Sequence, residues 1–350
     1  MSINPSHPFA NIIPTVRADA MAYVVLERRD VEAMSRFLHD FGFTRVEHEG
    51  PNVYFRGFGE KPYSVELIPS DRDAFVGFGL VAADGADLDT LGSANGIAPA
   101  DSEKPGGGRV LHLVDPNGYR IDLVHGFEKA EAYVPREAID VENTPWKKSR
   151  VNAGVRPPLT PAPVEGVRHL VLQTPHFEQT VRWYMQNFGY LPSDMLQTQS
   201  GMIGLGFFRF DRGEQPADHH ALAISFGPAP EILHISTETI DIDAVGQGQQ
   251  YLRAQGWEHF WGIGRHVLGS QVFDYWKDPA GDEWEHYADG DVMTADYPVG
   301  FHPFDRAGLW AWGDDLPASM RPAGQAPEEA PPPVRELIDA MLVAPRPWLD

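Results

Sequence analysis

The chain has 350 residues and a formal net charge of -22. This length allows two domains of ordinary size, and a hydrophobic fraction of 42% is typical of a globular protein. The acidity argues against nucleic acid or an anionic membrane surface as a partner, because phosphate binding depends on Lys and Arg patches.

Cysteine does not occur in the sequence. Disulfides, thiolate metal sites and cysteine nucleophiles are therefore excluded. The first twenty residues lack the basic start and apolar core of a signal peptide, and no apolar run approaches the ~18 residues of a membrane span. We therefore expect a cytoplasmic protein.

Two early segments of the chain resemble two later ones. Residues 31–47, VEAMSRFLHDFGFTRVE, resemble residues 177–193, FEQTVRWYMQNFGYLPS, with apolar residues at helical spacing and a shared FG-aromatic ending. Residues 115–126, DPNGYRIDLVHG, resemble residues 278–290, DPAGDEWEHYADG, as a turn followed by an alternating strand. The sequence therefore predicts a duplicated α+β domain.

Each copy is predicted to contain two strand-helix-strand-strand-strand modules. They begin near Met21 and Phe75 in the first copy and near Val167 and Ile232 in the second. The predicted division of the chain is an N-terminal domain (1–135), a Pro-rich linker (136–164), a C-terminal domain (165–312) and a Pro-rich tail with a short helix (313–350). We expect that helix to pack on a neighbour, because its apolar residues have helical spacing.

Three residues of the second copy are candidate metal ligands: His169 in GVRHLVL, His234 in EILHIST and Glu285 in GDEWEHY. Two histidines and one carboxylate are the protein ligands of non-haem Fe(II) sites that keep open positions for substrate and dioxygen. A lone histidine in an apolar strand is more often a hydrogen-bonded core residue. A buried carboxylate is more informative, because it is costly without a compensating cation.

The first copy provides an internal control. The offsets that relate the copies lead from His169 to Ala22 and from Glu285 to Asp122, and no histidine occurs between His48 and His112. The first copy therefore keeps the scaffold without the ligand set. In the second copy His286 is adjacent to the carboxylate but points to the opposite face of its strand, so we do not expect it to be a ligand.

The stretches GVRHLVL, DHHALAI, EILHIST and GIGRHVLGSQVFDYWKDPAGDEWEHYADGD resemble the catalytic domain of type I extradiol ring-cleavage dioxygenases, of the vicinal oxygen chelate superfamily. The spacings of 14 residues from His220 to His234 and 51 from His234 to Glu285 are of the kind that family shows. The resemblance covers residues 166–290 strongly and 18–127 by architecture. It implies two tandem vicinal oxygen chelate (glyoxalase-like) domains, each a curved mixed sheet around a funnel, the first non-catalytic.

The resemblance also implies roles for three further residues. His220 matches the acid/base histidine of the family, and imidazole suits this role because its unperturbed pKa is about 6.5. His266 matches a histidine that hydrogen-bonds the substrate or oxygen, and Tyr275 matches a tyrosine that holds or deprotonates a catechol oxygen. The alternatives are a surface-loop histidine, a loop-end histidine and a core or rim tyrosine.

Several neighbouring residues leave alternatives open. The surface-loop interpretation is favoured for His219. Arg265 supports the site electrostatically or forms a surface ion pair. The register across the DPAG turn leaves open whether Tyr275 and Glu285 share a face. Five aromatic residues are candidates for lining a pocket or for filling the core: Phe207, Phe208, Trp257, Phe260 and Trp261.

The function implied by the resemblance is extradiol cleavage of a substituted catechol by dioxygen at a mononuclear Fe(II) centre, in the catabolism of aromatic compounds. The product would be a ring-opened hydroxymuconic compound. Mn(II) is the alternative metal, whereas Zn(II) lacks the redox chemistry. Within the family, VNAGVRPP and GQGQQYLRAQGW look closest to trihydroxytoluene oxygenases and dihydroxybiphenyl dioxygenases. A small aromatic diol as substrate and a homo-oligomer are expected.

Three other functions fit parts of the pattern. A hydroxyphenylpyruvate-type dioxygenase shares the fold and the ligands, but its Gly- and Phe-rich segment before the carboxylate is missing here. A glyoxalase-type lyase or isomerase would need ligands from four strands. A non-catalytic aromatic-binding protein of the same fold would not need the complete set of candidate residues, so the sequence favours an enzyme.

Overall fold

The computed structural model describes most of the chain. The described residues are 9, 11–133, 135–139, 141–321, 324 and 328–343, without the side chain of Pro333. The first eight residues, used above for the signal-peptide interpretation, and residues 344–350 of the predicted tail lie outside them.

The N-terminal part of the chain forms one mixed sheet. Its elements are β1 (Ala18–Arg28), α1 (Val31–Phe41), β2 (Thr44–Val46), β3 (Val53–Arg56), β4 (Val65–Pro69), β5 (Ala74–Ala82), α2 (Ala86–Asn95), β6 (Ala100–Asp101), β7 (Arg109–Val114) and β8 (Arg120–His125). The strand order is β2-β3-β4-β1-β5-β8-β7-β6. Two βαβββ modules therefore meet at the antiparallel pair β1 and β5.

The C-terminal part repeats this arrangement. Its elements are β9 (Val164–Thr174), α3 (Phe177–Phe188), β10 (Leu191–Gln197), β11 (Ile203–Arg209), β12 (Ala217–Asp218), β13 (Leu222–Phe226), β14 (Glu231–Thr239), α4 (Ile242–Gln255), β15 (Glu258–Arg265), β16 (Val272–Lys277) and β17 (Glu283–Ala288). Three elements follow: β18 (Val292–Met293), β19 (Gly300–Pro303) and α5 (Pro332–Leu342). The larger sheet has the order β15-β16-β17-β14-β9-β13-β11-β10-β19, and β12 pairs with β18.

Local sequence signals explain where the helices begin and end. Asp30 and Asp241 accept hydrogen bonds from the backbone N–H groups of Ala33 and Ala244, both at 2.8 Å, and so cap α1 and α4. Gly42 ends α1 with a φ of +116°, a left-handed conformation that favours glycine. The FG ending shared by the repeated segments is therefore a helix stop.

Buried aromatic residues hold the two sheets together. Phe41 of α1 packs edge-on against Trp284 of β17 with ring centroids 5.7 Å apart. Arg28 at the end of β1 forms a buried ion pair with Asp278, at 2.9 Å. The fold prediction is confirmed, since both halves have two βαβββ modules in mixed sheets. The predicted domain boundaries at residues 135, 164 and 312 stay predictions.

Helix α5 packs on its own chain. A Cβ placed on Gly204 of β11 would lie 2.9 Å from Phe304 and 2.6 Å from Leu337, a measure of how closely the helix approaches the sheet. The helix was expected to pack on a neighbour, and that neighbour is the C-terminal sheet. Among the helices of the described residues, none has the length and apolar character of a membrane span.

Candidate metal centre

Three adjacent strands bring the candidate ligands together. Strand β14 lies between β9 and β17, and its Ser236 pairs with His169 on one side and with Glu285 on the other. Cross-strand partners share a face of the sheet, and residues two apart on one strand do so as well. His234, two residues before Ser236, therefore lies on the same face as His169 and Glu285.

The distances between the ligand atoms suit one metal ion. Nε2 of His169 lies 3.1 Å from Oε2 of Glu285 and 3.4 Å from Nε2 of His234, and the His234–Glu285 distance is 3.7 Å. With metal–ligand bonds of about 2.0–2.2 Å, ligands at right angles lie ~3 Å apart. Within the described residues these three form a group that could hold a metal ion.

The environment of Glu285 fits a bound cation. The carboxylate is fully buried, Ser236 Oγ donates to its Oε2, and its Oε1 has no hydrogen-bond partner among the described residues. A buried anion with an unpaired oxygen is costly unless a positive charge compensates it. The residues present therefore fit a divalent cation.

The pKa directions match a deprotonated ligand set. Burial opposes ionisation of Glu285, but the His169 and His266 side chains beside it hold its pKa well below the usual range. Burial lowers the pKa of His234 to about 3. At neutral pH the site therefore holds a carboxylate beside a neutral imidazole, which is the form that binds metals.

Tyr275 and His266 stand beside the carboxylate. Tyr275 on β16 pairs directly with Glu285 on β17, so the two share a face, which the sequence left open. His266 Nδ1 donates to the carbonyl oxygen of Leu309 at 2.6 Å, and its Nε2 lies 3.0 Å from the Tyr275 hydroxyl and 3.5 Å from Oε1 of Glu285. Burial and the charge of Glu285 raise the pKa of Tyr275 well above its usual value, so the phenol is neutral.

His220 lies on the other side of the ligands. Its ring centroid is 4.1 Å from that of His169, and burial lowers its pKa well below the usual value. Its Nδ1 is 3.0 Å from Nδ1 of His219. The surface-loop interpretation of His219 is wrong. Its side chain is 1% exposed, and its Nε2 contacts Asp194 Oδ2 at 2.7 Å.

A cavity of about 470 Å³ opens above these residues. His169, His220, His234, His266 and Tyr275 are among the residues that line it. The other walls are largely apolar and include residues from the segment after the sheet: Leu309, Leu316, Met320 and Met341. The C-terminal segment therefore covers the cavity.

The five aromatic candidates divide between cavity and core. Phe207 and Trp261 line the cavity. Phe208 is 1% exposed and belongs to the hydrophobic core, against which Trp257 packs, while Phe260 packs beside Trp261. Alternation along β11 separates Phe207 from Phe208, because neighbouring residues of a strand face opposite sides.

Two residues near the ligands have other partners. His286 points away from the ligands, donates from Nε2 to the carbonyl oxygen of Phe41 at 2.7 Å and stacks on that ring. Burial lowers its pKa to about 4. Arg265 forms an ion pair with the exposed Asp289 at 2.8 Å, the surface interpretation given above.

The sequence did not single out Ser236, Asp194 or His302. Asp194 contacts His219 and His302, each at 2.7 Å. The contact with His302 depends on the parallel pairing of β10 with β19, more than a hundred residues later in the chain. Ser236 could have been found from the alternation of EILHIST, since it follows His234 by two positions.

Residues 166–286 match the family described as the Glyoxalase/Bleomycin resistance protein/Dioxygenase superfamily. Metapyrocatechase 2 of Cupriavidus necator is 24% identical over 319 residues, which cover 87% of this chain and 92% of the relative. The iron-dependent extradiol dioxygenase of Rhodococcus jostii (strain RHA1) is 24% identical over 323 residues, 87% of this chain and 99% of the relative. The resemblance and the enzyme class predicted from the sequence are confirmed by these relatives.

Solved structures share the fold. The Mn(II)-bound glyoxalase from Novosphingobium aromaticivorans has a TM-score of 0.72 at 22% identity and covers 90% of this chain and 97% of its own. Homoprotocatechuate 2,3-dioxygenase from Brevibacterium fuscum, in complex with 3,4-dihydroxyphenylacetate, has a TM-score of 0.71 at 17% identity. The match covers 87% of this chain and 92% of that structure's chain. At these identities the likeness establishes the fold.

Proposed function

Because residues 166–286 match the Glyoxalase/Bleomycin resistance protein/Dioxygenase superfamily, we propose that this protein is an extradiol dioxygenase. It opens the ring of a substituted catechol with dioxygen, at Fe(II) held by His169, His234 and Glu285, and forms a hydroxymuconic product. The observation that carries the proposal is the convergence of the three ligand atoms at 3.1–3.7 Å beneath a cavity. Cytoplasmic location and a homo-oligomer stay predictions.

Iron is the metal we propose, with Mn(II) as the alternative. The Rhodococcus relative is named iron-dependent, while the Novosphingobium structure holds Mn(II). When bound, ferrous ion would lower the pKa of the diol hydroxyls and couple the electron-rich ring to dioxygen. The three protein ligands leave positions for both molecules.

The surrounding residues provide the proton chemistry. The Tyr275 hydroxyl lies 3.0 Å from Nε2 of His266, so the two side chains together provide a hydrogen-bonding partner for a catechol hydroxyl. His220, on the other side of the ligands, is buried and neutral and serves as the acid/base group during oxygen addition and ring opening. A proton leaving the diol can therefore pass to His220 on one side or, through the Tyr275 hydroxyl, to neutral His266 on the other.

The cavity indicates the chemistry of the ring substituent. Its acidic wall residues are Glu231, Glu283 and Asp305, of which Glu283 pairs with Lys277 at 2.8 Å, and no Lys or Arg among the described residues lines it. An anionic substituent would lie beside like charges in a partly apolar site. We expect catechols with uncharged apolar substituents to be preferred over 3,4-dihydroxyphenylacetate, the compound bound in the Brevibacterium structure.

The test is oxygen uptake by anaerobically Fe(II)-loaded protein mixed with catechols in air. We expect one dioxygen consumed per substrate and a yellow ring-opened product with 2,3-dihydroxybiphenyl or 3-alkyl catechols. The carboxylated catechol should react with lower kcat/KM. Absence of uptake and colour across the panel, with Fe(II) or Mn(II), would leave a non-catalytic binding protein as the better account.

A further inference from the structure

A chain of hydrogen bonds leads from His220 toward the surface. His220 Nδ1 contacts His219 Nδ1 at 3.0 Å, and His219 Nε2 contacts Asp194 Oδ2 at 2.7 Å. The second carboxylate oxygen, Oδ1, contacts Nε2 of His302 at 2.7 Å. His219 is buried, whereas the His302 side chain is 39% exposed.

The ionised carboxylate determines which nitrogens carry protons. Burial opposes ionisation of Asp194, but hydrogen bonds from His219 and His302 lower its pKa below the usual value. A carboxylate only accepts, so His219 donates from Nε2. An imidazole with its one proton on Nε2 has a bare Nδ1, so His219 in this tautomer accepts from Nδ1 of His220. The remaining nitrogen of His220, Nε2, is left bare.

The surrounding structure is shaped around this chain. Arg209, the cation beside it, donates to the carbonyl oxygen of Pro192 at 2.7 Å and to Ser193 Oγ at 3.0 Å, which leaves both oxygens of Asp194 for the imidazoles. Ser193 Oγ in turn donates to the carbonyl oxygen of His219 at 2.6 Å. A Cβ on Gly300 would collide with Asp194 Oδ1 and His302 Nε2, so glycine makes room for that contact.

We propose that Asp194 and His219 are positioning residues that fix the tautomer of His220 and thereby present its bare Nε2 as the base toward the substrate. The proposal rests on the function proposed above, because it assigns these residues a role in that reaction. A carboxylate that fixes the tautomer of a catalytic imidazole is a well-established device in enzymes. Here a second imidazole stands between the carboxylate and the base.

The first test reads the tautomers directly. Protein with ¹⁵N-labelled histidine is loaded with diamagnetic Zn(II), and two-bond ¹H–¹⁵N correlations separate protonated from bare ring nitrogens. His219→Gln and His220→Gln assign the two signals. We expect a proton on Nε2 of His219 and on Nδ1 of His220. Protons on Nδ1 of His219 and Nε2 of His220 would overturn the proposal.

The second test perturbs the carboxylate. In Asp194→Asn, His219 and His302 compete for one amide oxygen, so we expect mixed tautomers and a kcat lowered by roughly 10- to 100-fold. This decrease is smaller than the ~10²- to ~10⁴-fold decrease in kcat expected when acid/base catalysis is lost completely. The KM for catechol and the metal content should stay within about twofold of wild type. Gly300→Ala, which displaces the contact without removing a polar group, should act in the same direction.

His302→Gln is the matched control, since its amide still donates to Asp194 Oδ1. It should keep the wild-type tautomers and a kcat within about twofold. Unchanged tautomers and unchanged kcat in Asp194→Asn would contradict the positioning role. If the wild-type protein opens no catechol ring, the proposed function fails, whereas the tautomer spectra still decide whether Asp194 fixes His220.

Discussion

Asp122 and Glu285 occupy equivalent positions in the two sheets. Asp122 on β8 pairs with Gly79 on β5, and Glu285 on β17 pairs with Ser236 on β14. The N-terminal carboxylate is satisfied by the chain itself: the Tyr23 hydroxyl donates to it at 2.7 Å and His112 Nδ1 lies 2.6 Å away. The same sheet position therefore serves a structural network in one copy and a candidate metal site in the other.

Asp122→Asn should destabilise the fold. The substitution removes one of the two buried anions beside Lys104 and Arg120, which lie 3.8 and 3.4 Å from Asp122, and leaves them only Glu66. We expect a loss of about 2 kcal/mol in the free energy of unfolding, below the value for a fully buried pair because both cations keep contact with solvent. Urea unfolding with and without bound metal measures it.

The pH dependence of this effect has a definite sign. Burial opposes ionisation of Asp122, but the hydrogen bond to His112 and the nearby cations hold its pKa below the usual value. Its stabilising contribution is therefore present above the unfolded pKa of about 3.9 and is lost as pH falls through the folded pKa. The difference in the free energy of unfolding between wild type and Asp122→Asn should be constant near pH 7 and shrink below about pH 4. A difference that grows on acidification would contradict this.

His234→Ala should abolish tight metal binding while the protein stays folded. The variant removes one of three ligands and leaves His169 and Glu285 3.1 Å apart, too few to retain the ion. The matched control is His112→Ala, which removes the histidine beside Asp122 in the N-terminal sheet. Metal content after dialysis should be near zero in the first variant and unchanged in the second. Full metal content in His234→Ala would disprove the ligand assignment.

His220→Ala should keep the metal and lose the chemistry. The ring lies beside His169 but is not one of the three grouped ligands, so metal content should equal that of wild type. Turnover of a catechol should fall by ~10² to ~10⁴, the usual contribution of a positioned acid/base group. Steady-state kinetics and iron content of the same sample give both quantities. Wild-type kcat would remove His220 from the mechanism.

Leu337→Asp should weaken the C-terminal cover of the cavity. Leu337 is 8% exposed and packs against Gly204, while Met341 of the same helix lines the cavity. A buried charge should detach α5 and expose the apolar walls to water, so KM for an apolar catechol should rise about tenfold or more, equal to ~1.4 kcal/mol. Leu342→Asp, at a residue 37% exposed, is the control and should change KM little. Equal KM values in both variants would show that the cover does not bind substrate.

Local patterns predicted much of this structure. The repeated helix and hairpin segments identified the duplication, and alternation along EILHIST and GDEWEHY placed His234 and Glu285 on strands. The first copy has Ala22 in place of His169 and no histidine between His48 and His112, and this absence of the ligand set separated the two copies. These signals lie within short windows of sequence, where periodicity decides which face a side chain occupies.

The parts that could not be predicted depend on strand register and on distant contacts. The pairing of Tyr275 with Glu285 required the register across the DPAG turn. The sequence favoured a surface-loop position for His219, because its partner Asp194 lies on β10, distant in the sequence. The position of α5 over the cavity depends on tertiary packing of a helix whose sequence shows only one apolar face.

The most direct test of the central claim is the fate of dioxygen. Fe(II)-loaded protein is supplied with ¹⁸O₂ and a catechol with an apolar substituent, and the product is analysed by mass spectrometry. We predict that both labelled atoms enter one product molecule, whose ring is opened beside the diol rather than between its two hydroxyl-bearing carbons. An unlabelled product, or cleavage between the two hydroxyl-bearing carbons, would contradict the account.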